Sequence, residues 1–129
     1  MTSDFLIDSF AWIEYFRGTK EGEKVKRLLE NFRCFTPTVV IAELSDKYSR
    51  ENYSFWSQDL QFISENSVLL NLDMQTASEA GKIKQLVRKK YKNKFGLVDA
   101  IILATAKKMN AKVVTGDKHF KPLENVEFL

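Results

Sequence analysis

The sequence predicts an α/β domain in which a parallel sheet of four to five strands is flanked by helices. Short apolar runs such as Phe5-Leu6-Ile7 and Val113-Val114 alternate with longer segments whose apolar residues recur at helical spacing. The stretch from Leu97 to Met109 is apolar almost all round, as a helix buried against a sheet would be. The 129 residues, 44% hydrophobic with only 5 Gly and 2 Pro, suit one domain (residues 1–129) with its own core and no disordered tract.

In chain order, Asp4 to Asp8 reads as a short buried strand ending at an acid. Ser9 to Phe16 reads as a helix stopped by Gly18, with Phe10, Ile13, Trp12 and Phe16 as its inward candidates. Lys20 to Phe32 is a second helix, with Val25, Leu28, Leu29 and Phe32 on one face. Cys34 to Thr36 is a brief strand with Cys34 as a small core residue. Thr36-Pro37 then opens a helix that runs to about Arg50, since proline is tolerated in a first turn. Ser54 to Glu65 is helical, with Phe55, Trp56, Leu60 and Ile63 available to bury, and Ser67 to Leu72 is a strand. A long helix from Met74 to Tyr91 buries Ala77, Ala80, Ile83, Leu86 and Val87 and shows its lysines to solvent. Strands at Lys112–Thr115 and Val126–Leu129 complete the sheet, separated by a Gly116-Asp117 turn.

Composition removes several classes of function. Cys34 is the only cysteine and His119 the only histidine, so disulfide frameworks, cysteine-rich zinc sites and His-pair metal sites are excluded. No apolar run approaches the ~20 residues that span a bilayer. The start, Met1-Thr2-Ser3-Asp4, carries an acid where a secretory leader would carry positive charge, so a cytoplasmic protein without a membrane partner is expected. Charge is uneven: residues 1–66 carry 8 basic and 11 acidic side chains, whereas residues 67–129 carry 12 and 6. Between Lys82 and Val98 stand Lys82, Lys84, Arg88, Lys89, Lys90, Lys92 and Lys94 without one acid. Such a cluster is either a solvated helix face or a surface for a polyanion, nucleic acid above all.

Four acids sit where a core or a strand edge should be. Asp8 closes the first strand and either caps the following helix, a task Ser9 can also perform, or faces a site. Glu43 lies in the apolar run Val39-Val-Ile-Ala-Glu-Leu, a poor place for an acid that serves only an i,i+4 pair with Lys47. Asp99 interrupts Leu97-Val-Asp-Ala-Ile-Ile, either as a first-turn acid facing the helix dipole or as a ligand. Asp117 follows Val113-Val-Thr-Gly, where a turn alone would explain it. Taken together, each is placed by its own element near the carboxyl edge of the sheet, where parallel sheets form their sites. Clustered carboxylates repel one another unless a cation neutralises them. Mg2+ or Mn2+, which take oxygen ligands, would do so, and the chemistry this predicts is metal-assisted phosphodiester hydrolysis.

At these residues the chain resembles the PIN-domain ribonucleases, and among them the VapC-type toxins of toxin–antitoxin pairs. The matching segments are Leu6-Ile-Asp-Ser-Phe-Ala-Trp-Ile, Ala42-Glu-Leu, Leu97-Val-Asp-Ala-Ile-Ile-Leu-Ala-Thr-Ala and Val113-Val-Thr-Gly-Asp-Lys-His-Phe, in the family's order. The resemblance implies a three-layer fold around a five-stranded parallel sheet, and a quartet, Asp8, Glu43, Asp99 and Asp117, that is catalytic and binds Mg2+ or Mn2+. Ser9 and Thr115 match supporting hydroxyl positions. His119 stands where many relatives have a further acid, which leaves a second metal ion open; it is expected to be inert rather than a phosphate contact. The resemblance also implies a homodimer and a small antitoxin, for which the aromatic stretch Tyr53 to Ile63 offers a contact surface, or else ordinary core packing.

The reading is then an endoribonuclease whose RNA is gripped by Arg88, Lys89, Lys90, Lys92 and Lys94, with Tyr91 and Phe95 placed to stack on unpaired bases, Tyr91 serving equally well as a core residue. The alternative is a non-catalytic RNA-binding module with the acids kept for caps and turns. A phosphatase or receiver-like domain is disfavoured because the first strand lacks Asp-x-Asp and no Gly-rich phosphate loop is present.

Overall fold

The computed structural model describes residues 3–129. Five strands, β1 (Asp4–Ile7), β2 (Cys34–Pro37), β3 (Val68–Leu70), β4 (Ala111–Thr115) and β5 (Val126–Phe128), form one sheet in the order β3-β2-β1-β4-β5. Every pairing is parallel, and β1 is paired with β4 from Asp4–Ala111 to Ile7–Val114. Six helices flank it among the described residues: α1 (Ser9–Arg17), α2 (Lys20–Asn31), α3 (Thr38–Arg50), α4 (Trp56–Asn66), α5 (Met74–Tyr91) and α6 (Leu97–Lys108). A 3-10 turn at Lys118–Phe120 follows β4 and has no counterpart in the sequence reading. Met1 and Thr2, which carry part of the leader argument, lie outside the described residues. Among the described residues, no helix is long and apolar enough to cross a membrane.

From β1 the chain steps through β2 to β3 on one side, then returns to the other side of β1 for β4 and β5. Right-handed crossovers then put α1 to α4 on one face and α5 with α6 on the other. The point where the connections diverge lies between β1 and β4. In such sheets the crevice at that point, beyond the strands' carboxyl ends, is where ligands sit. The core between the layers holds Leu6, Ile7, Val113 and Val114 from the central strands, with Trp12, Val40, Leu44 and Ile102 from the helices, all essentially sealed from solvent. The buried Trp12 indole N–H finds an acceptor in the Thr36 hydroxyl at 3.1 Å, which avoids an orphaned donor.

Several residues assigned to the core by periodicity lie outside it. Along α5 the buried stripe is Thr76, Ala80 and Val87 with Ile83 partly covered, whereas Ala77 and Leu86 flank it in solvent. Phe32 ends α2 with its ring 5.2 Å from that of Phe5, half exposed, and Phe55 precedes α4 and stands out from it. Phe10, in the first turn of α1, overhangs the sheet edge and is 39% exposed. The opposite correction applies to Phe95. It is fully buried with its ring 5.2 Å from Phe120, so it has no face free for a base. Tyr91 is partly buried and its hydroxyl donates to the Pro122 carbonyl.

The α1–α2 corner depends on one close approach. A Cβ on Gly22 would stand 2.2 Å from the Glu14 carbonyl oxygen, a backbone atom that cannot swing aside. Gly22→Ala is therefore expected to cost about 3 kcal/mol, read as a lowered denaturant midpoint at unchanged m-value.

Candidate functional site

A cleft of about 540 Å3 opens at the carboxyl edge between β1 and β4. Asp8, Glu43, Asp99 and Asp117 all line it, brought there by four different elements. Asp8 follows the last residue of β1 and is only 4% exposed. It also caps α1, its Oδ1 accepting from the Ala11 amide at 2.9 Å, so capping and facing the cleft coexist. Glu43 projects from α3, and its Oε1 is buried without a hydrogen-bond partner among the described residues. Asp99 sits in the first turn of α6, its Oδ2 accepting from the Gly96 amide at 2.9 Å. Asp117 follows β4; its amide donates to the Thr115 hydroxyl at 3.0 Å and its Oδ1 accepts from the His119 amide at 2.9 Å.

The carboxylates feel both burial and one another. Burial pushes the Asp8 carboxyl up to about 7; the Thr115 hydroxyl and the Ala11 amide pull it down, and Glu43 and Asp117 add like-charge repulsion. Glu43 is raised chiefly by burial, opposed by the Ser9 hydroxyl, with Asp99 and Asp117 adding to the rise. Asp99 is raised by burial against the Gly96 amide, and there Asp117 raises and His119 lowers it. All three shifts say that negative charge in this cleft lacks compensation.

Ser9 lines the cleft as expected, while Thr115 is fully buried beneath it. His119 belongs to it too: a ring nitrogen of His119 and one carboxylate oxygen each from Asp99 and Asp117 lie within 4.8 Å of one another. Lys118 and Phe10 were missed. Lys118 is the one lysine on the wall, and its signal was its place directly after Asp117. Phe10 read as core because its helical phase is right, yet its ring stands over Gly116, where a Cβ would come within 2.3 Å of it. None of Arg88, Lys89, Lys90, Lys92 and Lys94 lines the cleft. They occupy the last turn of α5 and its link to α6, the helix that carries Asp99. Arg88 is partly structural, its Nε donating to the Phe95 carbonyl at 2.6 Å.

Could these residues hold a cation? Four carboxylates with hydroxyls nearby are a hard, oxygen-rich donor set of the kind Mg2+ and Mn2+ take. The unpartnered Glu43 Oε1 is an acceptor waiting for a positive partner, since leaving such an atom buried and unpaired is destabilising. The residues are of the kind that fits such an ion, and among the described residues the donors close enough to share one are those of Asp99, Asp117 and His119.

Comparison with known proteins covers almost the whole chain. The family profile described as PIN domain matches residues 5–125. No curated protein matches the sequence. Among solved structures, VapC20 of Mycobacterium tuberculosis, described as a sarcin-ricin loop cleaving toxin, is similar with a TM-score of 0.72 at 18% identity, over 92% of this chain and 93% of that one. VapBC-1 of nontypeable Haemophilus influenzae gives 0.70 at 21% identity, over 98% and 96%. VapBC2 of Rickettsia felis, solved bound to a DNA fragment from its promoter, gives 0.71 at 16% identity, over 98% and 97%.

Proposed function

The chain belongs to the PIN domain family, and from that premise we propose that it is a divalent-metal-dependent endoribonuclease, the toxin of a toxin–antitoxin pair. It acts as a single nuclease domain over residues 1–129, in the cytoplasm, as a homodimer restrained by a small antitoxin. The VapBC neighbours, several of them toxin–antitoxin or DNA-bound assemblies by their descriptions, support the partner. Asp8, Glu43, Asp99 and Asp117 would hold Mg2+ or Mn2+, supported by Ser9 and Thr115. Bound there, the ion supplies neutralisation of phosphate charge and acidification of water.

The chain's own groups do the rest. Lys118 on the cleft wall attracts the phosphate, the basic end of α5 and its link hold the flanking backbone, and exposed Phe10 walls the apolar side. Water attacks phosphorus, the phosphorus–oxygen ester bond breaks, and the leaving ribose oxygen takes up a proton from solvent water. A carboxylate of the cleft takes the proton that the water loses and passes it to solvent.

One observation carries this reading over the non-catalytic module. Asp8, Asp99 and Asp117 each accept a local backbone amide, which is what an acid kept only for caps and turns would do. Glu43 accepts none at its buried Oε1, which leaves that oxygen free for a ligand in a way that caps and turns do not account for. The test is RNA cleavage by the purified protein with Mn2+ or Mg2+, then with chelator, then as Asp99→Asn. Cleavage is expected in the first condition alone. Activity that persists with chelator or in the variant overturns the reading, and RNA binding without cleavage in any metal establishes the module instead.

A further inference from the structure

The cleft contains a nitrogen donor that an all-carboxylate site would lack. His119 is carried on the 3-10 turn after β4, and that turn is tied back by the Asp117 carboxylate, whose Oδ1 accepts the His119 amide. The same oxygen lies 3.3 Å from the His119 Nδ1, so ring and carboxylate are held side by side. Asp99 reaches the pair from α6, and the three donor atoms lie within 4.8 Å of one another. Donors bound to one ion at about 2.1 Å are separated by no more than about 4.2 Å, so closing round an ion needs shifts of a few tenths of an ångström. The His119 side chain is 37% exposed and that of Asp117 35%, which leaves an entry path and room for water ligands. Independently, the buried Glu43 oxygen without a partner marks this cleft as short of a cation.

We infer that His119, with Asp99 and Asp117, forms a mixed nitrogen–oxygen subsite that takes a first-row transition-metal ion such as Co2+ or Zn2+ in preference to Mg2+. The inference rests on reading the cleft as a metal site and adds which ion it selects. An imidazole in place of a carboxylate changes two things. It removes one negative charge, which lowers the attraction for any hard dication. It also supplies a borderline-soft nitrogen, which Mg2+ uses poorly and the later divalent ions of the first row use well. The loss of charge weakens all dications alike, and the nitrogen donor sets the selectivity.

Because His119 is the only histidine, its ring protons can be followed by NMR in the untagged protein without assignment of any other residue. Titration with Zn2+ is expected to shift them, and Co2+ to shift them far through its unpaired electrons. Mg2+ at an occupancy verified by calorimetry should leave them nearly in place. Calorimetric Kd values for Co2+ and Mg2+ on the wild type, His119→Asp and His119→Ala complete the test. His119→Asp should lower the preference for Co2+ over Mg2+ about tenfold or more, gaining Mg2+ affinity as it loses Co2+ affinity. His119→Ala should lose Co2+ affinity without that gain. An unchanged preference in all three proteins, or ring protons that ignore Co2+ and Zn2+ while those ions bind, overturns the inference and leaves the nuclease reading standing. Failure of every divalent ion to bind the wild type overturns both.

Discussion

Asp8→Asn is expected to lower RNA cleavage at least about a hundredfold while making the metal-free protein more stable at neutral pH. The two effects have one cause. Burial holds the Asp8 pKa near 7 in the native state, against 3.8 for the ordinary side chain. Between pH 4 and 7 the native protein therefore keeps a proton that the unfolded chain has released. Stability falls as pH rises through that window, because the native state binds more protons than the unfolded one. The favourable contribution is complete below pH 4 and gone above about 7. Its full span is about 4 kcal/mol, three pKa units at 1.36 kcal/mol each. The raised pKa values of Glu43 and Asp99 act in the same direction.

Asparagine has nearly the same shape, keeps a carbonyl oxygen for the Ala11 amide and so keeps the α1 cap. It carries no charge to be stranded, and it loses the anionic ligand that an ion needs. Denaturant melts from pH 4 to 8 with chelator present should show the wild type losing stability with pH and Asp8→Asn losing clearly less, the remainder coming from Glu43 and Asp99. With Mn2+ added, the order should reverse, since the ion stabilises only the protein that binds it. A variant that is less stable than wild type at pH 7 without metal would show that Asp8 serves the fold rather than a ligand.

Much of this site was legible because three of its acids are placed by local rules. An acid directly after an apolar strand, or in the first turn of an apolar helix, ends up at the strand edge whatever the rest of the fold does, and Asp8, Asp99 and Asp117 are of this kind. Glu43 was legible as a conflict, a charge inside the apolar stripe of α3, and the structure leaves its buried Oε1 without a partner. What could not be read locally depends on long-range packing. That β1 lies between β2 and β4, which creates the crevice, is decided by the sheet as a whole. Phe10 has the helical phase of a core residue, but the sheet ends beneath it. Phe95 follows Lys92 and Lys94 and reads as surface, yet Phe120, far along the chain, covers it. The nearness of His119 to Asp99 and Asp117 likewise depends on how the turn after β4 packs against α6, which no local pattern announces.

Reversing two charges at the end of α5, as Lys89→Glu with Lys90→Glu, is expected to weaken RNA binding by one to two orders of magnitude at low salt. It should also make the dependence on salt shallower. Each phosphate contact to single-stranded RNA contributes about 0.7 to the slope of log affinity against log salt, so losing two should reduce that slope by roughly 1.4. Both lysines are exposed and neither is ion-paired to an acid among the described residues, so their replacement removes no structural contact of that kind. Arg88 would be the wrong choice. Its guanidinium braces the Phe95 carbonyl, and its loss would loosen the link that leads to Asp99. Since the pair lies outside the cleft, the double variant should keep its turnover on an RNA too short to reach α5 and lose it on longer RNA through KM. Equal affinity and equal slope in variant and wild type would make the basic end of α5 plain solvated surface, and Lys118 the only cation left to meet the phosphate at the cleft wall.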